Sequence, residues 1–276
     1  MRKRRPRAAL LFLMPSKNIF ACVLAFTSAA AAPCAQAQYA ASIEPSLRHA
    51  SVSEYSPAGE RIVRENGWLP GVAGRLAYRS DAWEVFGAAA LFQGDIDYDG
   101  QLQNGQPYRS KTGTRMAEAQ LGLRYRVLDA TDIVAALAVD SWRRHIRGSG
   151  KAIGLQEDTR SGRLLIGIEQ AWRFGSDGQL TAGASLVHAA PERLRIGFSG
   201  LLDDVTVRTR SANGYLLALR YRPEQASKLA LGAQFDYIRV PRSAAYQVTR
   251  DGRAAGEVTQ PEHVRRNVTL SVQYRF

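Results

Sequence analysis

The chain predicts an all-β fold, a transmembrane antiparallel up-and-down β-barrel of about ten strands. Three observations carry that expectation. Apolar and polar residues alternate with period two in segment after segment, with turn-forming residues between them. Several segments run past ten residues, near the roughly 9–11 that a tilted strand needs to cross a bilayer and beyond the ~5–6 of a soluble sandwich. Long polar connections follow odd-numbered segments and short turns follow even-numbered ones, the asymmetry of a membrane barrel with both termini on the short-turn side.

The segments follow in order. The first, residues 43–55, is the least regular and ends at a loop with Pro57 and Gly59. The second, 68–79, sets Val72, Leu76 and Tyr78 against Ala73, Arg75 and Arg79. Ser80, Asp81 and Ala82 turn the chain into the third, 83–98, and a long polar loop leads to the fourth, 115–127. There Leu121, Leu123, Tyr125 and Val127 oppose Glu118, Gln120, Arg124 and Arg126. The fifth, 132–147, and the sixth, 162–174, flank a second polar loop, and a turn at 175–178 leads to the seventh, 180–189. The eighth, 208–222, sends Tyr215, Leu217, Leu219 and Tyr221 to one face. The ninth, 228–240, precedes a last polar loop at 241–261, and the tenth ends the chain. Aromatic residues such as Tyr78, Trp83, Tyr125, Trp172, Tyr221 and Tyr274 gather at the turn ends, as an interfacial girdle requires.

The tenth segment, 268–276, alternates without a break and stops on Phe276. It resembles the C-terminal signal of Gram-negative outer-membrane barrels, which implies that the barrel-assembly machinery reads this strand. The N-terminus agrees with export. Arg2, Lys3, Arg4, Arg5, Arg7 and Lys17 precede an apolar stretch, residues 19–32, of only 14 residues. That is too short for a membrane helix, which needs about 20. The following Ala35-Gln36-Ala37 is a small-x-small cleavage site. Residues 1–37 are therefore expected to be a signal peptide and 38–276 the outer-membrane barrel domain.

Composition narrows the function classes. Cys22 and Cys34 both lie in the leader, so the mature chain is expected to have no thiol for a disulfide, a metal or a nucleophile. Losing six basic residues and no acid takes 37 Lys+Arg to 31 against 25 Asp+Glu, so the formal balance falls from +12 to +6. Such a mildly basic chain suits outer-membrane lipid and lipopolysaccharide phosphates, not nucleic acid. No cofactor and no metal site is expected, and the barrel is expected to be a monomer.

The expected lumen face collects ions of both signs, among them Arg75, Arg124, Glu118, Arg163, Glu169 and Asp236. Ten strands enclose little space. Unpaired ions there are costly, so an ion-paired plug is the expected filling, with a narrow small-solute channel as the alternative.

The third segment ends in Asp95-Ile96-Asp97-Tyr98-Asp99. With Phe86, Ala88, Ala90 and Phe92 assigned to lipid, parity sends the three acids toward the lumen mouth. Clustered carboxylates there could position a water, hold a divalent cation, or serve as ordinary loop chemistry. Ten strands, a mature length near 240 residues and this Asp-x-Asp-aromatic motif resemble omptins, the outer-membrane proteases. The resemblance implies that Asp95 and Asp97 form one catalytic pair, facing an Asp/His pair on the fourth extracellular loop. That loop offers His188 and Glu192, or Asp203 and Asp204, and no Asp-x-His. The catalytic candidates are thus Asp95, Asp97 and His188. His145, His188 and His263 are placed at the extracellular rim, each more simply a solvated side chain. Arg143, Arg144, Arg147, Lys151, Arg208 and Arg210 are the candidate ligands of lipopolysaccharide phosphates. Three readings stand: a structural or surface-interaction barrel, an omptin-like hydrolase, and a narrow channel.

Overall fold

A computed structural model describes residues 38–101, 105–148, 153–174, 178–224 and 227–276. The expected signal peptide, Lys151 and the centre of the 175–178 turn lie outside the described residues. Fourteen strands account for most of the described chain: β1 (Gln38–Tyr55), β2 (Arg61–Ser80), β3 (Trp83–Gln101), β4 (Pro107–Leu128), β5 (Thr131–Ile146), β6 (Leu155–Phe174), β7 (Gly178–Ala189), β8 (Arg193–Gly197), β9 (Val205–Arg208), β10 (Ala212–Arg222), β11 (Leu229–Val240), β12 (Tyr246–Arg250), β13 (Arg253–Val258) and β14 (Glu262–Arg275).

Neighbouring strands pair antiparallel from β1 through β7, then β10, β11 and β14, and β14 returns to β1. The sheet therefore closes on ten staves and leaves no free edge around the barrel. The turns between β2 and β3 and between β4 and β5 are two residues long, and Asp81 takes φ 45° to make the first. The last strand is held on both sides: Leu270 pairs with Leu47 of β1 and Ala233 of β11.

Outward residues form an apolar belt. It includes Leu76 on β2, Leu121 on β4, Leu137 on β5, Ile166 on β6, Leu186 on β7, Leu219 on β10 and Leu231 on β11, all exposed. Aromatic contacts mark its lower edge, where Tyr39 meets Tyr78 at 5.1 Å and Trp83 meets Tyr125 at 4.3 Å. At its upper edge His49 meets the Trp68 ring edge-on at 5.0 Å, and Tyr215 stacks on Tyr237 at 5.1 Å. This is the girdled belt that a bilayer selects.

The strands do not stop at the upper girdle. Residues 99–101 and 107–113, expected in a loop, are strand, as are 155–161. Beyond the bilayer the outward face meets water, so a strand there needs no apolar outer face. The other expected loops are ordered too. β8 continues the line of β7 along β6, with Gln156 opposite Gly197, and β9 pairs with β8. The 241–261 loop is the β12–β13 hairpin, whose Tyr246 and Val258 pack on a small core of Leu194, Ile196 and Val207.

One facing is the reverse of the sequence expectation. Phe86 and Phe92 point inward and are 3% and 1% exposed, whereas Asp95, Asp97 and Asp99 point outward. Each ring fills space left by a glycine: a Cβ at Gly122 would overlap Phe86, and one at Gly71 would overlap Phe92. Each also lies under a lumen arginine, Arg75 at 3.7 Å and Arg48 at 3.9 Å, a cation–π pair that lets an aromatic share a polar interior. The outward positions of β3 are instead Val85, Gly87, Ala89 and Leu91, followed by Gln93 and the three acids.

Replacing Gly122 by Val drives a side chain into the Phe86 ring and should cost about 1–3 kcal/mol. The check is the temperature at which the folded, fast-migrating gel band of the barrel converts to the slow band. A Gly122→Val protein that converts at the wild-type temperature would contradict this packing.

Candidate functional site

Inside the barrel the ions pair in tiers. At the periplasmic end Glu84 accepts Arg75 at 2.7 Å, Arg79 at 2.5 Å and Arg124 at 3.1 Å, and Arg124 also reaches Glu169 at 2.5 Å. Midway, Arg48 meets Glu118 at 2.5 Å, and Arg163 spans Asp140 at 2.5 Å and Asp236 at 3.2 Å. Arg48–Glu118, Arg124–Glu169 and Arg163–Asp236 bridge strands that are not neighbours, so these charges also tie the barrel walls together. The expected ion-paired filling is present.

Above this tier the interior turns apolar. Val52, Leu69, Phe92, Ile96, Met116 and Trp142 form one buried cluster. Higher still lies Arg144, 4% exposed, which donates to Glu54 at 3.3 Å and Glu157 at 2.7 Å and forms an ion pair with Glu65 at 3.0 Å. Thr112 donates its hydroxyl to Glu65 at 2.8 Å. Arg144 is thus not a rim residue open to lipopolysaccharide. Even-numbered residues of β5 face inward, and Arg144 shares that parity with Val134, Ala136 and Trp142.

Glu192, between β7 and β8, makes a second buried knot. Arg265 donates to it at 2.5 Å, and His263 lies 3.5 Å from its other oxygen. His263, placed on a solvated rim from sequence, is 4% exposed. Burial alone would raise the Glu192 pKa, but Arg265 and His263 more than offset it and hold the carboxyl at about 2.

The catalytic candidates do not come together. Asp95 pairs with Arg147 at 2.5 Å and Asp97 with Lys111 at 2.5 Å, all on the outer wall. His188 also faces outward, but from β7, with β4, β5 and β6 between its strand and β3, and its Nδ1 lies 2.8 Å from the Asn213 side-chain oxygen. Among the described residues no cluster of three or more His, Cys, Asp and Glu can hold a metal. Parity carries the aspartates away from the lumen because the phenylalanines of β3 occupy it.

The outer wall is nonetheless rich in charge. A cleft of about 1060 Å³ runs over its upper half, lined by Asp95, Arg115, Arg143, His145, Asp158 and Arg195 among others. Arg143 pairs with Asp158 at 3.4 Å. Arg115 stands directly opposite Arg143 across the β4–β5 ladder, and both side chains point outward. Like charges directly opposite each other destabilise a sheet unless an anion lies between them. Arg208 and Arg210, at the end of β9 and just past it, are exposed. The sequence reading missed Arg115; its place one step beyond the outward Ala117 and Ala119 was the available signal.

The barrel itself has counterparts among solved structures. The outer membrane protease OmpT from Escherichia coli superimposes with a TM-score of 0.54 at 11% identity, over 87% of this chain and 96% of that one. The fold is that of an outer-membrane β-barrel. The translocator domain of the autotransporter NalP from Neisseria meningitidis gives a TM-score of 0.43 at 14% identity, covering 86% of this chain and 89% of that one. The attachment invasion locus protein Ail of Yersinia pestis gives 0.35 at 11%, covering 86% and 98%. No family model matches the sequence, and no curated protein does. The likeness to OmpT is one of architecture, a closed ten-stranded barrel in the outer membrane.

Two outcomes follow from the buried knots. Arg144→Met strands the carboxylates of Glu54, Glu65 and Glu157 and should cost about 3–5 kcal/mol, read as a lower thermal midpoint of the folded barrel. The Glu192 contribution has a sign in pH: its folded pKa is depressed, so the contribution is whole above roughly pH 4.3 and fades as pH falls toward 2. The protection of β8 and early β14 amides, taken relative to their intrinsic exchange rates, should fall across that window, and Glu192→Gln should remove that fall.

Proposed function

We propose that this protein is a closed outer-membrane barrel that works at the cell surface, through its extended outer wall and its ordered loops. The observation that carries the reading is the blocked interior. Arg48, Glu118, Arg163 and Asp236 pair across the lumen, and the Val52, Leu69, Ile96 and Trp142 cluster lies above them. Solute passage would require breaking buried ion pairs, a costly step. At the cell surface the outer half of the molecule stays open to a partner, the β8–β9 and β12–β13 hairpins included.

Lipopolysaccharide is the first partner in this reading. Arg115 and Arg143 face outward just above the apolar belt, at the height of lipid phosphates, and a phosphate between them would relieve their repulsion. Arg147, Arg208 and Arg210 extend the same basic surface. Export by a signal peptide over residues 1–37, assembly through the strand ending in Phe276, and a monomeric state belong to the same proposal.

The protease reading has weaker support. It would draw on the likeness to the protease OmpT and on Asp95 and Asp97, yet these aspartates lie on the outer wall against Arg147 and Lys111, and three strands separate theirs from that of His188.

The lipopolysaccharide contact is tested by Arg115→Ala/Arg143→Ala. In detergent at low salt, the double variant should lose roughly tenfold in affinity for lipopolysaccharide, and the gap to the wild type should narrow as salt rises. Equal affinity in both proteins would remove this contact from the proposal. A peptide library separates the readings further: folded wild type should leave it intact, whereas cleavage that disappears in Asp95→Ala/Asp97→Ala would replace the surface reading with a hydrolase.

A further inference from the structure

The periplasmic end of the barrel is a wide, strongly basic vestibule. It encloses about 730 Å³ and is lined by eight arginines against Glu84, Asp129, Asp132 and Glu169, an excess of four positive charges. It shares Arg75, Glu169, Thr181, Arg220 and Gln273 with a lumen cavity of about 220 Å³ that reaches up to Arg48, Glu118 and Arg163. Those residues close the top, so the space opens on the periplasm alone.

The arginines divide into two groups. Arg75, Arg79, Arg124 and Arg126 pair with Glu84, Asp132 or Glu169. Arg173, Arg220, Arg222 and Arg275 have no ion pair among the described residues, and the Arg222 Nε is buried without a hydrogen-bond partner. Residues 175–177 and 225–226 of the adjoining turns lie outside the described residues. Register places the unpaired arginines together. Gln179 of β7 is flanked by Arg173 of β6 on one side and Arg222 of β10 on the other, and Arg220 stands opposite Thr181 one inward step above. Arg173 and Arg222 are therefore two strand spacings apart, roughly 10 Å between backbones. Their long side chains can close on one anion between them, with the Gln179 amide as a further donor.

A fold that only needed a closed lumen would give each ion an opposite partner, as the tier above does. Four guanidinium groups facing one open mouth, with no carboxylate partner among the described residues, repel one another, and each presents the planar fork that matches phosphate oxygens. We propose that this vestibule is a binding site, entered from the periplasm, for phosphate groups of a phosphoanhydride or phosphodiester ligand, held by Arg173, Arg220, Arg222 and Arg275. The site is independent of the surface reading, since it lies at the opposite end of the barrel from the outer wall.

The test uses the full chain expressed in bacteria and isolated folded from outer membranes in nonionic detergent, with inorganic pyrophosphate titrated calorimetrically at low salt. The wild type should bind saturably and lose affinity as salt rises. Arg173→Gln/Arg220→Gln/Arg222→Gln should weaken binding at least roughly tenfold. Arg250→Gln/Arg253→Gln, on the exposed tip of the β12–β13 hairpin, should leave it unchanged. The single changes Arg222→Gln and Arg222→Lys cover the case in which the triple variant does not fold, with the glutamine weakening binding more than the lysine. Phosphatidylglycerol nanodiscs that displace pyrophosphate, where phosphatidylcholine nanodiscs do not, would assign the phosphate to a lipid headgroup. Undisturbed pyrophosphate would assign it to a soluble ligand. Absence of saturable binding by folded wild type overturns the proposal, as does a folded triple variant, or a folded Arg222→Gln protein, that binds as well as wild type.

Discussion

A strand has two faces, and here the medium on the outer face changes from hydrocarbon to water part-way along each long strand. Everything else in the molecule accommodates that change. Within the belt the outward positions are Leu, Ile, Val and aromatic residues, and the inward ones carry the ions. Above the belt ions stand on the outward face as well: Asp95, Asp97 and Lys111 point out, while Val52, Ile96 and Leu194 point in beside the buried Arg144 knot. The lower half is a membrane barrel and the upper half is built like a soluble one. The β3–β4 ladder runs unbroken through both, whereas the β2–β3 ladder is interrupted between the Asn66–Asp97 and Gly71–Phe92 pairs, beside Pro70, which has no N–H to give.

The interior of the lower half follows from the same constraint. Its lumen is narrow and cut off from bulk water at the top, so each inward charge needs a partner, and pairs such as Arg48 with Glu118 stitch distant strands. Glycines across from Phe86 and Phe92 let rings enter a space otherwise filled by guanidinium groups, which then lie over the ring faces. Among the described residues that face the lumen, the arginines without a carboxylate partner are those at the short-turn mouth, where water returns. The distribution of ions thus reports where the barrel is sealed and where it is open.

Much of the barrel was legible in the sequence because period-two alternation is strongest where one side is hydrocarbon. Val72, Leu76 and Tyr78 against Arg75 and Arg79 declare both faces of β2 without help, as do Leu121 and Leu123 against Glu118 and Arg124 on β4. The strand count and the side of each turn followed. The pattern weakens above the belt, where polar outward residues make strand 107–113 look like loop. The facing of β3 failed for a more particular reason. Phe86 and Phe92 are apolar and inward, Ala89 and Leu91 are apolar and outward, and hydrophobicity alone cannot choose between two apolar faces. The outward run from Val85 and Leu91 to Gln93 and Asp95 contained the answer, but only for a reader who expected the face to change character beyond the membrane. The knots at Arg144 and Glu192 were not legible, since each joins residues far apart in the chain.

The central claim is that β3 keeps one parity along its length while its outward surroundings change from lipid to water. Single-cysteine proteins at adjacent positions test it on intact cells with a membrane-impermeant maleimide. Asp97→Cys should label readily and Ile96→Cys should not, with Leu91→Cys protected by lipid. Labelling at Ile96→Cys with protection at Asp97→Cys would put the acids inside the barrel and contradict the account.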